Sequence, residues 1–229
     1  MTTEDTGNQP TSAHVARYTP DRHADYGDAR LSSPVFPRNS PPLIAALTPW
    51  LGGRTGKVLE IGCGTGQHGA AFELAWPGIA WQASDPYPEH CASAESWRLA
   101  LKLPSRDTLA LDAAADWGPE VTAAGPFTAV FTANVIHIAP PAVLAGILRG
   151  APQVLGPCGL LIFYGPFMEN GRHTGEGNAR FDAGLRADNP DWGLRDIADL
   201  REGAAAEGLE MAAVLAMPAN NRVLIFRKP

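Results

Sequence analysis

The chain has 229 residues, with 18 Lys and Arg against 24 Asp and Glu, for a formal net charge of −6. That length fits one domain of ~150 residues with an elaboration, able to bury about 70% of its unfolded surface without disulfides or metal. Three cysteines cannot pair completely, no apolar run approaches about 18 residues, and the acidic balance offers no basic face to a phosphate backbone, which excludes a disulfide scaffold, a membrane-spanning helix and a nucleic-acid partner.

In chain order, the first residues show neither a basic start nor an apolar run, so no secretory signal is expected and the setting reads as cytoplasmic. Residues 1–39 are polar, carry Pro10, Pro20, Pro34 and Pro37, and lack an apolar period. They read as a flexible arm that cannot bury enough surface to order itself. Tyr18, Tyr26 and Phe36 suit an arm that covers another surface, a candidate lid over a domain at 40–229. Ser40-Pro41-Pro42 opens a helix whose stripe is Leu43, Ile44, Leu47 and Leu51, stopped at Gly52-Gly53. Strands are expected at 57–61, 79–84, 108–111, 127–131 and 159–164, and helices at 66–76, 89–103 and 142–155. This alternation implies βαβ units and an α/β fold with a parallel sheet covered on both faces. Residues 165–192 break the rhythm with Gly, Asn, Asp and Arg. They read as a long functional loop past a strand's carboxyl end, where open sheets bind ligands. A helix resumes near Leu194, and 210–217 with 222–227 form an antiparallel hairpin.

The most specific motif is Val58-Leu-Glu60-Ile-Gly62-Cys63-Gly64-Thr-Gly66-Gln67-His68-Gly69. An apolar strand runs into a turn with glycine at every second position, then into a helix. Such a turn needs unusual backbone angles and lets a ligand approach the main chain. A nicotinamide dinucleotide wants G-x-G-x-x-G directly off the strand. Counting from Gly62, the third glycine would fall on Gln67, and the Glu60 carboxylate would face phosphates. A cationic ligand suits the pattern better.

E-x-G-x-G-x-G resembles motif I of the class I S-adenosylmethionine (SAM)-dependent methyltransferases. That resemblance assigns Glu60, Gly62, Cys63, Gly64 and Gly66 to the cofactor, Asp85 to its ribose and Asp112 to its adenine. Taken alone, Asp85-Pro86 also reads as a turn. Arg38-Asn39, Asn134-Val-Ile-His137, Tyr164-Gly-Pro-Phe167, Asn178, Phe181-Asp182, Trp192-Gly193, Arg195-Asp196 and Met217-Pro-Ala-Asn-Asn221 resemble the DUF938 family, also called methyltransferase-like protein 26. The resemblance spans roughly 35–229 and implies a seven-stranded, mostly parallel Rossmann-like sheet ending in an antiparallel hairpin. Gly62-Cys63 departs from the small pair, such as Ala-Ser, of many relatives. The family's substrate is not established.

Methyl transfer is an in-line displacement, so positioning supplies most of the catalysis, and a base is needed only for a protonated acceptor. His137, just past the fourth strand, is the candidate catalytic residue, as a base or as a loop anchor. Asn134 bonds either the cofactor's amino-acid part or loop backbone. Tyr164 and Phe167 are candidate walls of an acceptor pocket, through the ring quadrupole, or plain core residues. Arg38, Asn39 and Asn178 are candidate acceptor contacts, and basic groups there favour a carboxylate or phosphate. No acid follows Asn134, and the cysteines lack ligand spacing, so no metal is expected. The reading is a metal-independent SAM-dependent methyltransferase of a small molecule. A catalytically silent SAM-binding or partner-binding domain is the alternative, and an NAD-dependent oxidoreductase a weaker one. The sequence does not fix the oligomeric state.

Overall fold

The computed structural model describes residues 26–229, so the expectations for Tyr18 and the rest of 1–25 lie outside the described residues. Helix α1 (Phe36–Leu51) leads into β1 (Gly56–Ile61), α2 (Gln67–Ala75), β2 (Ile79–Asp85), α3 (Pro88–Ala100) and β3 (Leu109–Ala110). Then come α4 (Gly118–Thr122), β4 (Phe127–Ala133), α5 (Pro141–Val154) and β5 (Leu155–Pro166). A small hairpin, β6 (Met168–Glu169) and β7 (Arg172–His173), precedes α6 (Glu176–Asp188) and α7 (Ile197–Ala206). Strands β8 (Glu210–Ala216) and β9 (Asn221–Arg227) end the chain.

The main sheet has seven strands in the order β3-β2-β1-β4-β5-β9-β8. The first five are parallel, and β9 and β8 run antiparallel to their neighbours. This is the Rossmann-like methyltransferase fold with its closing hairpin. Its central strands are apolar on both faces because helices cover both. Leu59, Val130 and Leu161 face Ile147 of α5 and Leu200 of α7. Val58, Phe131 and Ile162 face Leu43 and Leu47 of α1 and Phe72 of α2. Burying a side chain of this size contributes roughly 1.5–3 kcal/mol, so the two layers fix the frame. Sequence order reverses between β1 and β4, whose carboxyl ends lie side by side, and such a switch point is where open sheets place a ligand crevice.

Helix α4 was not expected, β5 begins at Leu155 instead of 159, and three further departures bear on the site. Helix α1 begins at Phe36, not Ser40, so Pro37 occupies the first turn while Pro41 and Pro42 lie inside. Proline suits a first turn, where its missing N–H has no intrahelical partner anyway. Residues 165–192 are not a plain loop but the β6–β7 hairpin and the 13-residue α6. Its buried stripe is Asn178, Asp182 and Leu185, too polar to register as an apolar period. Helix α7 starts three residues later than expected, where Asp196 caps it by accepting from Ala198 N at 2.8 Å.

Candidate functional site

The turn after β1 depends on its glycines. Gly62, Gly64 and Gly66 have φ of +70°, +53° and +76°, in the left-handed region where side chains are strained. A Cβ on Gly66 would sit 2.4 Å from Ala94 Cα, so α3 packs directly on the turn. A Cβ on Gly64 would meet nothing within 4 Å. The turn is thus wedged on its inner side and open on its outer side.

Asp85, at the end of β2, holds this turn. It is 3% exposed. Its Oδ2 accepts from Gly64 N at 2.9 Å, while Oδ1 accepts from Tyr87 N at 3.1 Å and lies 3.0 Å from His90 Nδ1. Cys63 N donates to Ser84 O at 2.9 Å, and burial pushes its thiol pKa up, so the side chain is a neutral filler. Glu60 is buried, with Oε2 accepting from Trp81 Nε1 at 2.7 Å. Desolvation lifts its carboxyl to about 8 against the Trp81 hydrogen bond, helped by the nearby Asp85 charge. At neutral pH Glu60 is therefore mostly protonated, not the standing negative charge its position in the motif suggests. Asp112 is exposed and accepts from Ala114 N at 2.8 Å, closing a turn after β3.

Across the crevice, β4 ends at Asn134, which takes φ of +58° and donates its N–H to Tyr164 O at 2.8 Å. His137 is 3% exposed, its ring edge-on to Phe181 of α6 at 5.7 Å. Burial, and then the positive charge of Arg195, lower its pKa to about 3. It is a neutral imidazole and a weak base. Gly165 leaves room for this cluster, since a Cβ there would lie 3.1 Å from His137 Cε1 and 3.3 Å from Asn134 Oδ1.

Tyr164 faces the α1 and α2 layer, and its hydroxyl accepts from Asn221 Nδ2 at 2.9 Å. Asn178 Nδ2 donates to Thr174 Oγ1 at 2.8 Å and to Asn220 O at 3.2 Å. Arg38 lies close enough to Tyr164 for its charge to act on the hydroxyl, and its Nε donates to Asn39 Oδ1 at 3.4 Å. These contacts bring together the first turn of α1, the end of β5, the 218–220 turn and the start of α6. Phe167 does not join them. It is 1% exposed and packs with Phe163, Ile197 and Leu200 in the opposite layer, so it is a core residue and not a pocket wall.

A family model described as "Protein of unknown function (DUF938)" matches residues 30–228. The chain belongs to this family. The solved methyltransferase SibL, S-adenosylmethionine-dependent and in its apo form, is similar at 22% identity and TM-score 0.68, over 85% of this chain and 55% of SibL. A putative O-methyltransferase from Nostoc punctiforme is similar at 20% and 0.70, over 82% of this chain and 56% of its own. PigF with SAH is similar at 16% and 0.68, over 84% and 57%. The chain spans just over half the length of these proteins, and the likeness shows a shared fold.

In this DUF938 chain three site residues escape sequence reasoning. His90 braces Asp85 from the first turn of α3, and its place five residues after a strand-end Asp was the available signal. Gln67 Oε1 accepts from Ser33 N at 2.7 Å and from Thr65 Oγ1 at 3.2 Å. Ser93, 0% exposed, links the segment before α1 to the glycine turn. Ser93 leaves no signature because its partners are backbone groups distant in sequence, and for Gln67 the same holds of its bond from Ser33 N. His68 packs against Phe36 and Phe72 with its Nδ1 unpartnered, and Thr132 Oγ1 is likewise buried without a partner. Among the described residues no group of three His, Cys, Asp or Glu is placed to hold a metal, and no helix is long and apolar enough to cross a membrane.

Proposed function

We infer that this chain is a cytoplasmic, metal-independent SAM-dependent methyltransferase acting on a small-molecule acceptor by in-line methyl transfer. The observation that carries this reading is the glycine turn, open at Gly64 and fixed from within by the buried Asp85 carboxylate. Main-chain groups of Gly62, Cys63, Gly64 and Gly66 would hold the methionine part, Asp85 the ribose and Asp112 the adenine. Glu60 and Asn134 would flank the amino-acid end. Asp85 already accepts three hydrogen bonds, and a carboxylate has about four acceptor positions, so room for a ribose hydroxyl remains.

The cofactor supplies a methyl group on a sulfonium. The chain supplies position and a dry wall. His137, neutral through burial, orients an acceptor by a hydrogen bond and does not store its proton. Arg38, Asn39, Tyr164 and Asn178 hold the far end of the acceptor. The segment 26–35 ahead of α1 acts as a cover. Its contacts support this, since Leu31 is buried and Ser33 is bonded to Gln67 at the glycine turn.

Calorimetric titration with SAM, S-adenosylhomocysteine and NAD tests the cofactor. Asp85→Asn is expected to weaken SAM about tenfold or more, the worth of a charge-assisted hydrogen bond. Tighter binding of NAD than of SAM would overturn the reading. Labelled methyl passing from SAM to a metabolite of a cell extract separates an enzyme from a silent binder.

A further inference from the structure

Residues 134–139, which carry Asn134 and His137 out of β4, lie in no helix or strand, so their carbonyls need partners elsewhere. Arg195 Nε donates to Ile136 O at 3.1 Å and its Nη2 to Ala139 O at 2.9 Å, while Gly193 N donates to His137 O at 3.0 Å. The short connector between α6 and α7 thus grips this loop by three carbonyls. A further bond from Nη2 to Asp191 O at 2.9 Å ties the guanidinium to the connector itself. The connector is placed in turn by Asp182 of α6, which is buried and whose Oδ1 accepts from Leu194 N at 2.7 Å. The approach there is close. Gly193 has φ of +138°, and a Cβ on it would lie 2.8 Å from Asp182 Oδ1 and 2.6 Å from Arg186 Cζ. Arg186 Nε donates to both Asp182 oxygens at 3.2 Å and His173 Nε2 lies 3.0 Å from Oδ2, so the carboxylate is itself fixed. Leu185, Trp192 and Leu194 form a small buried cluster with Ile138 and Phe181 packed against it, so packing follows the same path.

We propose that Asp182 and Arg195 are positioning residues that hold His137 where an acceptor meets it, acting through the connector and not on the acceptor. The imidazole rests edge-on against Phe181, the neighbour of Asp182, so its place follows the course of its own backbone. A guanidinium fork reaches two carbonyls three residues apart in one plane, which a lysine ammonium does not reproduce. Asp182 serves the connector as an acceptor for one N–H, so an amide replaces it in part and a methyl does not. An error of about 1 Å in such positioning costs about 100-fold in rate. The task given to His137 rests on the proposed function, whereas the clasp on its loop does not.

The full chain is isotope-labelled at histidine Cε1 for NMR, and the His137 signal is identified by its loss in His137→Phe. Arg195→Lys, Asp182→Ala and Asp182→Asn are compared with the wild type, and melting temperatures confirm that each variant is folded. Three quantities are read: the His137 signal, the S-adenosylhomocysteine affinity by calorimetry, and the rate of labelled methyl transfer from SAM to small molecules of a cell extract. Arg195→Lys and Asp182→Ala are expected to shift or split the His137 signal and to slow transfer about tenfold to 100-fold, with S-adenosylhomocysteine affinity unchanged. Asp182→Asn is expected to recover most of what Asp182→Ala loses. If Arg195→Lys does not fold, the two Asp182 variants decide from the α6 side. A His137 signal that stays in place in the folded variants overturns the proposal. So does a loss of transfer matched by an equal loss of S-adenosylhomocysteine affinity, or an Asp182→Asn no better than Asp182→Ala. A wild type that transfers no methyl counts against the proposed function, and the His137 signal then decides the clasp by itself.

Discussion

Around the glycine turn, polar groups already bond one another. Gly64 N meets Asp85, Asp85 meets His90, and Ser93 meets the Thr65 carbonyl. On the facing side His137 rests edge-on against a ring and Thr132 Oγ1 has no partner, while next to the glycine turn His68 Nδ1 is the one buried polar atom without a partner among the described residues. The first side is held by bonds within itself, and the second rests more on packing. Under the proposed function, the hydrogen-bonded side would be the pre-organised one and the packed side the one free to adapt to an acceptor.

The boundary of the acceptor side is tested most strongly by Phe167→Ala. If Phe167 belongs to the core, removing it costs about 3–5 kcal/mol in urea unfolding and leaves the SAM affinity of the folded protein unchanged. A change under about 1 kcal/mol would return Phe167 to the pocket wall.

Next in size is a pair within the cradle. Gly66→Ala combines left-handed strain of about 1–2 kcal/mol with a collision against the α3 backbone worth roughly 1–3 more. Gly64→Ala carries the strain alone, yet its methyl would fill the open side where a cofactor lies. Stability should therefore suffer more at Gly66, while Gly64→Ala should weaken SAM strongly in a folded protein. Equal stability loss with unchanged SAM affinity at Gly64 would break the picture of an open outer wall.

The two sides were not equally legible in the sequence. The parallel sheet covered on both faces followed from apolar runs and their alternation with helices, because burial on both faces leaves a near-continuous apolar composition in β4 and β5, while its seven strands were implied by the family resemblance. The glycine turn was legible because its backbone angles demand glycine, whereas Asp85 and Asp112 were singled out by the family resemblance. Helix α6 was not, since its inward face carries Asn178 and Asp182 in place of an apolar stripe. Tyr164 and Phe167 looked equivalent three residues apart, but they pack in opposite layers of the sheet. Period-two alternation continued from Tyr164 through Gly165-Pro166 sets Phe167 on the opposite face, which is where it packs.

A smaller effect separates the sides by pH. Glu60 has a folded pKa of about 8 against an ordinary 4.5. The native state keeps a proton that the unfolded chain releases, so this stabilisation is full below about pH 4.5 and is lost as pH rises through 8. His137, lowered from 6.5 to about 3, works in the opposite sense: its contribution is full above pH 6.5 and is lost as pH falls toward 3. Glu60→Gln should flatten the decline between pH 5 and 8, which reaches up to about 1.4 kcal/mol per pH unit. His137→Phe should flatten only the acid side. Urea midpoints at pH 4, 6 and 8 check both. Cofactor binding adds a second readout: an ammonium at the amino-acid end near Glu60 should expel its proton, so SAM and S-adenosylhomocysteine should both release protons at pH 7, and methylthioadenosine, which lacks the amino-acid end, should not. Equal release for methylthioadenosine would move Glu60 away from the amino-acid end.

The smallest expected effect joins the segment before α1 to the cradle. Ser93 Oγ accepts from Leu31 N at 2.8 Å and donates to Thr65 O at 2.8 Å, so one buried hydroxyl ties the two together. Trp97 Nε1 adds a bond to Leu31 O at 2.7 Å, and Arg30 stacks on Tyr26 with its guanidinium 4.3 Å from the ring centre. Ser93→Ala leaves the Leu31 N–H buried and unpaired, a cost of about 1–3 kcal/mol and a melting temperature a few degrees lower. The informative measurement is tryptic cleavage after Arg30. Because Thr65 lies within the glycine turn, cofactor binding stiffens Thr65 and through Ser93 the segment at Leu31. S-adenosylhomocysteine should therefore slow cleavage at Arg30 in the wild type. In Ser93→Ala cleavage should be faster and nearly indifferent to the ligand. Cleavage that ignores S-adenosylhomocysteine in the wild type, under conditions where binding is saturated, would show that this segment merely rests on α3 and takes no part in holding the cradle.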